Sequence, residues 1–385
     1  MLVAAEASGD HLGAALARAL RARLPPVRLI GVGGARMAAE GVASPFDIAS
    51  LSILGFLEGL LAWPRVLRRA DETAALATRE KPDVAVLIDS WGFTLRVAQR
   101  LRRLDPAPVL IKYVGPQVWA SRPGRAKTLA RTVDRLLSIH AFDAPLFERQ
   151  GLEVTFVGNP ALARDFSRAD PAALRKRIGA GPDDQILLVL PGSRRGEIDR
   201  LMPPFEDAVA RLKADRPHLH VVLAVAESVA DEVAAKAAGW VHPVHLVEGE
   251  GARLEAMRAA KVALACSGTV TSEVALAGCP MVVAYRLGAI THWLARILIR
   301  TRFITLINVA VGAFVAPEFV QDACTGPALA EAVGRRLDDP GLRARQIAEQ
   351  NAALEIMRGG VADPIGAAAD AVIAALGPGK ARRGP

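Results

Sequence analysis

Short apolar runs alternate with longer amphipathic segments along nearly the whole chain. The apolar runs are continuous, which is typical of parallel strands that are buried on both faces. They form two series, predicted as the strands MLVAA (1–5), VRLIGV (27–32), DVAVLID (83–89), PVLIKYV (108–114), DRLLSI (134–139) and VTFVG (154–158), then QILLVL (185–190), HVVLAV (220–225), PVHLVE (243–248), KVALAC (261–266) and PMVVAY (280–285). The pattern predicts an α/β protein with two doubly wound parallel sheets.

A stretch rich in Pro, Gly and Asp, residues 159–184, separates the two series. We therefore predict an N-terminal domain over 1–165 and a C-terminal domain over 166–345. The last part of the chain has helical periodicity and no further apolar strand. It is predicted to form a helical tail, 346–385, that packs back on the N-terminal domain.

Composition narrows the class of protein. Hydrophobic residues make up 51% of the 385, enough for a large core, and the three cysteines form no Cys-x-x-Cys pair, which argues against a disulfide framework or a zinc site. The net charge of +8 suits phosphates, nucleic acid or an anionic membrane. Because only 5% of residues are aromatic and no nucleic-acid motif occurs, we expect no nucleic-acid partner.

The start of the chain, MLVAAEASGD, lacks the basic and apolar regions of a signal peptide. No apolar stretch is long enough to span a membrane. Two segments, 53–69 and 287–303, nevertheless mix bulky apolar residues, Trp and Arg. They are interpreted either as interfacial membrane segments or as core helices with basic outer faces.

Polar residues follow the first and third predicted strands, at the edge where open parallel sheets bind ligands. After the first strand, Ser8 or Asp10 would cap the next helix, or both would join Glu6 in a polar site. Asp89 closes the third strand and is the best general-base candidate, with helix capping as the alternative. The loop GPQVWASRPGR (115–125) has the composition of an ordered functional loop.

In the second series, LPGSRRGEID (190–199) follows an apolar strand. Gly192 and Ser193 would let backbone N–H groups point to an anion at a helix N-terminus, and Arg194 would add a guanidinium suited to phosphate. The alternative is an exposed arginine paired with a nearby acid. Arg195 is interpreted as a surface charge.

A second turn of this type, Ser267, Gly268 and Thr269, follows KVALAC. The next helix carries Glu273, whose carboxylate could accept both hydroxyls of a ribose or simply interact with the helix dipole. Two anion-binding turns and one acid together favour a nucleotide diphosphate as the ligand.

Six motifs occur in the order seen in the lipid-A-disaccharide synthase family, which the chain resembles over essentially its whole length. They are EASGD (6–10), LID (87–89) before a Phe-containing helix, GPQVWA (115–120), LPGSR (190–194), SGT-x-T-x-E (267–273) and PEF-x-Q (317–321). The resemblance implies the GT-B architecture, two Rossmann-like domains that face a cleft.

The activity that the resemblance implies is inverting glycosyl transfer. UDP-2,3-diacylglucosamine and 2,3-diacylglucosamine 1-phosphate would give the β-1,6-linked lipid A disaccharide 1-phosphate and UDP. Members of the family need no metal or other cofactor. They act at the cytoplasmic face of the inner membrane of Gram-negative bacteria, and a homodimer is compatible with the resemblance.

The resemblance also assigns roles to residues at matching positions. Asp89 corresponds to the base for the acceptor 6-hydroxyl, Arg194 to the arginine of the UDP site, and Glu273 with its turn to nucleotide recognition. Ser8 falls in the N-terminal cleft loop. Three further residues are expected near the donor: Asn308, Glu318 and Gln321.

The chain departs from the family pattern on the acceptor side. Trp91 and Gly92 stand where Pro-Asp is common, Ser121 replaces a second Trp, and Asn159 replaces a His. One alternative function is another GT-B enzyme that uses UDP-N-acetylglucosamine, such as a peptidoglycan glycosyltransferase or a 2-epimerase. The other is a non-catalytic peripheral protein that binds lipid or nucleotide.

Overall fold

The computed structural model describes residues 1–51, 56–288 and 301–377, with the backbone alone over 56–61. It divides into two compact units. Unit 1 comprises Met1–Pro160 and the chain from Val361 onward, and unit 2 comprises Ala161–Gly360.

Unit 1 is built on a six-stranded parallel sheet in the order β2-β1-β3-β4-β5-β6. Its strands are β1 Leu2–Val3, β2 Gly31–Val32, β3 Val84–Ile88, β4 Val109–Tyr113, β5 Arg135–Ser138 and β6 Glu153–Phe156. Its helices are α1 Ala7–Arg23, α2 Ala35–Ala39, α3 Phe56–Glu80, α4 Trp91–Leu101, α5 Gly124–Ala130, α6 Ala144–Glu148 and α15 Pro364–Ala375.

Unit 2 repeats the architecture with the order β12-β11-β10-β7-β8-β9. Its strands are β7 Ile186–Leu190, β8 His220–Ala224, β9 His245–Val247, β10 Val262–Cys266, β11 Met281–Tyr285 and β12 Glu318–Val320. Its helices are α7 Pro171–Ile178, α8 Arg195–Asp215, α9 Ala230–Ala237, α10 Glu250–Ala259, α11 Thr269–Leu276, α12 Leu306–Val311, α13 Gly326–Asp338 and α14 Pro340–Arg358.

Both faces of each sheet are covered, as the continuous apolar runs predict. Within β7, Leu187 and Val189 belong to one hydrophobic cluster while Ile186 and Leu188 belong to the cluster on the opposite face. Side chains alternate across a strand, so a strand covered twice must be apolar at every position. The predicted α/β class with two parallel sheets is confirmed.

The last helices of the chain divide between the units. Gln346 and Gln350 of α14 donate to the backbone oxygens of Met281 and Cys279, which ties this helix to unit 2. Helix α15 instead packs against α1 in unit 1. The predicted tail thus begins inside a helix of unit 2, and only the chain after Gly360 belongs to unit 1.

The EASGD turn differs from the expected N-cap. Helix α1 begins at Ala7 with no side-chain cap, so Ser8 and Asp10 both lie inside its first turn. The buried Asp10 carboxylate instead accepts from the backbone N–H groups of Gly34, Arg36 and Met37, at 2.7 to 3.0 Å. The prediction that either residue caps its own helix is wrong, because Asp10 caps the start of α2.

Candidate functional site

Asp89 lies directly after β3 in a turn of unusual backbone geometry. Asp89 and Ser90 have φ values of +47° and +37°, so two consecutive non-glycine residues adopt the left-handed conformation. The Asp89 N–H donates to Tyr113 O at 2.9 Å, which continues the β3–β4 ladder by one bond. The turn then reverses into α4 with the half-buried Asp89 at the carboxyl end of the sheet. Such strained backbone occurs mainly at functional sites.

A lysine inside the sheet supports this turn. The Lys112 ammonium donates to Asp89 O and, at 2.8 Å, to Thr94 Oγ1. Lys112 is 3% exposed. Burial lowers the pKa of its ammonium to about 7, against the opposing charges of Asp89 and Glu6. Sequence reasoning missed Lys112, although a single lysine within the apolar run PVLIKYV was a usable signal.

The EASGD turn lies close to the same point. A Cβ added at Gly9 would lie 3.7 Å from Ile88 O, at the end of β3. Glu6 acts electrostatically on Lys112, and Ser8 is exposed. Unit 1 therefore brings together the two strand ends that the sequence singled out, with Lys112 between them.

The loop after β4 is ordered by aromatic packing. The Trp119 ring meets Phe142 edge to face at 5.6 Å, and Phe142 stacks on His140 at 5.1 Å. Burial lowers the pKa of His140 to about 4 and raises the pKa of Asp143 to about 7. His140 is therefore neutral at neutral pH.

In unit 2 a buried carboxylate, that of Glu197, contacts the LPGSR turn. Gly192 has φ +115°, and a Cβ there would lie 2.7 Å from Glu197 Oε2. Glu197, buried in the first turn of α8, accepts from Ser193 N at 3.3 Å and from Arg194 Nη1 at 3.0 Å. Ser193 does not cap α8, whose N-cap is Arg194.

The two arginines of this turn differ in their contacts. The Arg194 side chain is 71% exposed beside Glu197. This is the alternative expected from the sequence, an exposed arginine paired with a nearby acid, and a contact of Arg194 with phosphate stays a prediction. The Arg195 side chain is 84% exposed and lies 3.5 Å from Glu232, which agrees with its interpretation as a surface charge.

The second turn stands at the end of β10, the strand next to β7. Gly268 is the N-cap of α11, and Gly268 and Thr269 are exposed. Ser267 Oγ donates to Ile304 O at 2.8 Å. The two predicted anion-binding turns thus follow neighbouring parallel strands of one sheet.

Glu273 is held by two arginines that sequence reasoning missed. Arg164 Nη1 lies 2.7 Å from Glu273 Oε1, and Arg253 Nη2 lies 3.5 Å from Oε2. Arg164 also pairs with Glu250 at 3.0 Å. Both arginines lie far from Glu273 in sequence, so no local pattern links them to it.

Asn308, Glu318 and Gln321 organise the backbone around the end of β11. The Glu318 carboxylate accepts from Ile304 N, from Thr305 N and Oγ1, and from Asn308 Nδ2. The buried Asn308 also accepts from two backbone N–H groups. Gln321 Oε1 accepts from Leu287 N at 2.6 Å. Asn308 and Glu318 therefore shape this part of unit 2 through bonds within the protein.

The two membrane-type segments are described only in part. Residues 289–300 of the second membrane-type segment and 53–55 of the first lie outside the described residues. Over the described part of the chain, no helix has the length and apolarity to cross a membrane. Within the same residues, no cluster of three His, Cys, Asp or Glu side chains could hold a metal ion.

Two parallel doubly wound sheets with polar turns at their carboxyl ends define a protein of the GT-B class. Solved structures with this fold include the S. aureus MnaA–UDP complex, with a TM-score of 0.65 and 16% identity over 97% of this chain and 94% of that one. The kitacinnamycin glycotransferase matches with a TM-score of 0.63 and 18% identity over 97% and 98% of the two chains. At these identities the likeness shows the fold alone.

Sequence comparison is more specific. The family model described as lipid-A-disaccharide synthetase matches residues 1–360. A lipid-A-disaccharide synthase from Nitrobacter hamburgensis is 43% identical over 100% of this chain and 96% of its own length. Another from Paramagnetospirillum magneticum is 41% identical over 99% and 98%. The chain belongs to the lipid-A-disaccharide synthetase family, a family of glycosyltransferases, and this does not favour the alternatives of an epimerase, a peptidoglycan enzyme or a non-catalytic protein.

The buried lysine predicts a pH dependence of stability. The pKa of Lys112 falls from 10.5 when exposed to about 7 in the fold. Between these values the unfolded chain holds a proton that the folded chain has released, so the wild-type free energy of unfolding rises with pH across this window. Lys112→Met lacks that rise. The free energy of unfolding of the variant relative to wild type should fall by on the order of 2 kcal/mol from pH 6 to pH 9 in urea titrations.

The matched control is Lys127→Met, which removes an exposed lysine on α5. Its difference from wild type should be the same at both pH values. A Lys112→Met difference that also stays constant would show that Lys112 remains charged in the fold throughout this range.

Proposed function

We propose that the protein joins UDP-2,3-diacylglucosamine to 2,3-diacylglucosamine 1-phosphate and releases UDP. The observation that carries the proposal is the family match over residues 1–360. The position of Asp89 in a strained turn at the end of a parallel strand supports it, since a general base must be held in a fixed orientation.

In the proposed reaction, the acceptor 6-hydroxyl attacks C1 of the donor glucosamine from the face opposite the diphosphate. The new bond joins the acceptor oxygen to C1, and the bond from C1 to the diphosphate oxygen breaks. The Asp89 carboxylate takes the hydroxyl proton, and the electron pair leaves with UDP. The configuration at C1 therefore inverts, and atoms and charge balance without a further reactant.

The donor is assigned to unit 2. Arg194, Ser193 and the backbone of the Ser267–Gly268–Thr269 turn would receive the diphosphate, where fixed N–H dipoles and a guanidinium stabilise the charge that grows on the leaving group. Glu273, held by Arg164 and Arg253, would accept the ribose hydroxyls. Four further residues are assigned to shape or line the substrate sites: Ser8 on the acceptor side, and Asn308, Glu318 and Gln321 on the donor side.

The reaction and its base are tested together. Purified enzyme with both lipid substrates in detergent should release UDP, and omission of either substrate should abolish the release. Asp89→Asn keeps the size of the side chain but cannot take the proton. Its kcat should fall by about 100-fold or more, with little change in the donor KM. UDP release from the donor alone, or UDP-N-acetylglucosamine epimerised at C2, would overturn the proposed reaction, and an undiminished kcat would overturn the role of Asp89.

The donor site is tested by comparing the two adjacent arginines. Arg194→Ala should raise the donor KM about tenfold and weaken UDP binding in calorimetry to a similar degree, because one charge-assisted contact to phosphate is lost. Arg195→Ala removes the neighbouring charge and should leave both constants within twofold. Equal effects of the two substitutions would mean that general positive charge, and not a specific contact, attracts the donor.

We also propose that the enzyme binds the anionic surface of the inner membrane, where its acylated substrates reside. The support is a surface patch of unit 2 formed by Arg302, Val311 and Phe314. Phe314 is 48% exposed and Val311 is 40% exposed. The Arg302 guanidinium lies 5.0 Å above the Phe314 ring. Exposed apolar side chains beside an arginine suit the boundary between acyl chains and anionic head groups.

Vesicle flotation tests this patch. Phe314→Ser should weaken binding to vesicles that contain anionic phospholipid by about tenfold, because one buried aromatic contact with the acyl region is lost. The control, Val241→Ser, changes another exposed hydrophobic residue, which is 75% exposed outside the patch. It should bind like wild type. Binding that is insensitive to Phe314→Ser would assign membrane contact to another part of the chain.

A further inference from the structure

We propose that Lys112 is a positioning residue for glycosyl transfer, which holds the Asp89–Ser90 turn and thereby aims the Asp89 carboxylate. The inference rests on the proposed role of Asp89 and extends it to a residue in the middle of the neighbouring strand. Lys112 does not contact substrate in this proposal. It acts through the backbone of the base.

The contacts form a short chain from the sheet to the turn. Lys112 Nζ donates to Asp89 O and to Thr94 Oγ1. Thr94 Oγ1 lies 2.8 Å from both Asp89 O and Ser90 O, so its single proton can serve either carbonyl. Together, Lys112 in the sheet and Thr94 in the first turn of α4 bind the carbonyl oxygens of both left-handed residues.

The backbone needs such support. A left-handed φ value costs free energy at a residue other than glycine. Two such residues in succession persist only where the surrounding contacts hold them in place. Asp89 and Ser90 are both in this position. Without the ammonium, the turn can relax toward ordinary backbone angles, which would turn the Asp89 carboxylate away from the acceptor.

The surroundings of Lys112 argue against a lysine that serves only to stabilise the fold. Lys112 and Thr94 line a small cavity whose other walls are apolar or aromatic side chains: Leu87, Trp91, Leu95, Ala98, Leu129 and Val133. The charged groups that act on its ammonium are Asp89, at the end of β3, and Glu6, in the turn before α1. Burying an ammonium among aliphatic groups is costly, and an apolar side chain of similar length would stabilise the sheet more.

Lys112→Met tests the proposal in the UDP-release assay with both lipid substrates. The kcat should fall by about tenfold or more while the donor KM stays within twofold, since misdirecting the base affects only the transfer step. The midpoint of urea unfolding at pH 7 should not fall. Lys127→Met, the exposed control, should match wild type in every measurement.

The double variant Asp89→Asn/Lys112→Met shows whether Lys112 acts through Asp89. If it does, the double variant should be no slower than Asp89→Asn alone. Independent, multiplying losses would overturn the proposal, as would a Lys112→Met kcat within twofold of wild type. Loss of kcat together with reduced stability and a raised donor KM would show a structural role instead.

A second variant keeps the proposal testable if Lys112→Met does not fold. Thr94→Val preserves shape but removes the hydroxyl between the lysine and the turn, and it should lower kcat several-fold in the same direction. A wild-type kcat for Thr94→Val would contradict the proposal. If Asp89→Asn in the wild-type background keeps full activity, the proposed base itself fails, and this outcome is read separately from any effect at Lys112.

Discussion

The burial of both faces of two parallel sheets is the constraint on which the rest of the molecule depends. A strand covered on both sides must be apolar throughout, so polar chemistry collects where the chain leaves the sheet. Asp89 follows Ile88, Gly192 comes just after Leu190, and Ser267 follows Cys266. Because the strands within each sheet are parallel, the residues that follow them lie together at the carboxyl end of that sheet.

In unit 2, glutamate carboxylates bind the backbone N–H groups and arginines near the strand ends. Glu197, Glu273 and Glu318 each bind more than one donor: Glu197 binds groups of its own turn, while Glu273 and Glu318 bind groups from further along the chain. Glu197 is of particular interest, because backbone N–H groups and guanidinium that suit a phosphate equally suit a carboxylate. Its contacts hold the LPGSR turn in shape by bonds within the protein. They also place a negative charge beside the proposed diphosphate site, so a bound diphosphate would compete with Glu197 for these donors.

Several parts of the structure could be predicted because their signals are local. Ten of the eleven apolar runs contain an observed strand, and the eleventh, 154–158, overlaps β6, which begins one residue earlier, since buried parallel strands need a continuous apolar sequence. The strand Glu318–Val320 was missed as a strand because it is short and begins with a charged residue. Asp10 was misassigned for a related reason. An aspartate at a helix start usually caps that helix, and nothing local reveals that its carboxylate turns to a backbone 24 residues further on.

By itself, the sequence determined the α/β class, the two series of strands, the family and the strand ends at which polar residues gather. These depend on hydrophobic period and on short motifs, which are properties of neighbouring residues. Only the tertiary structure decided how the polar groups pair: Lys112 under the Asp89 turn, Arg164 and Arg253 on Glu273, and the division of the last helices between the units. Those contacts join residues that are distant along the chain, and a buried charge chooses its partners by three-dimensional proximity and geometry.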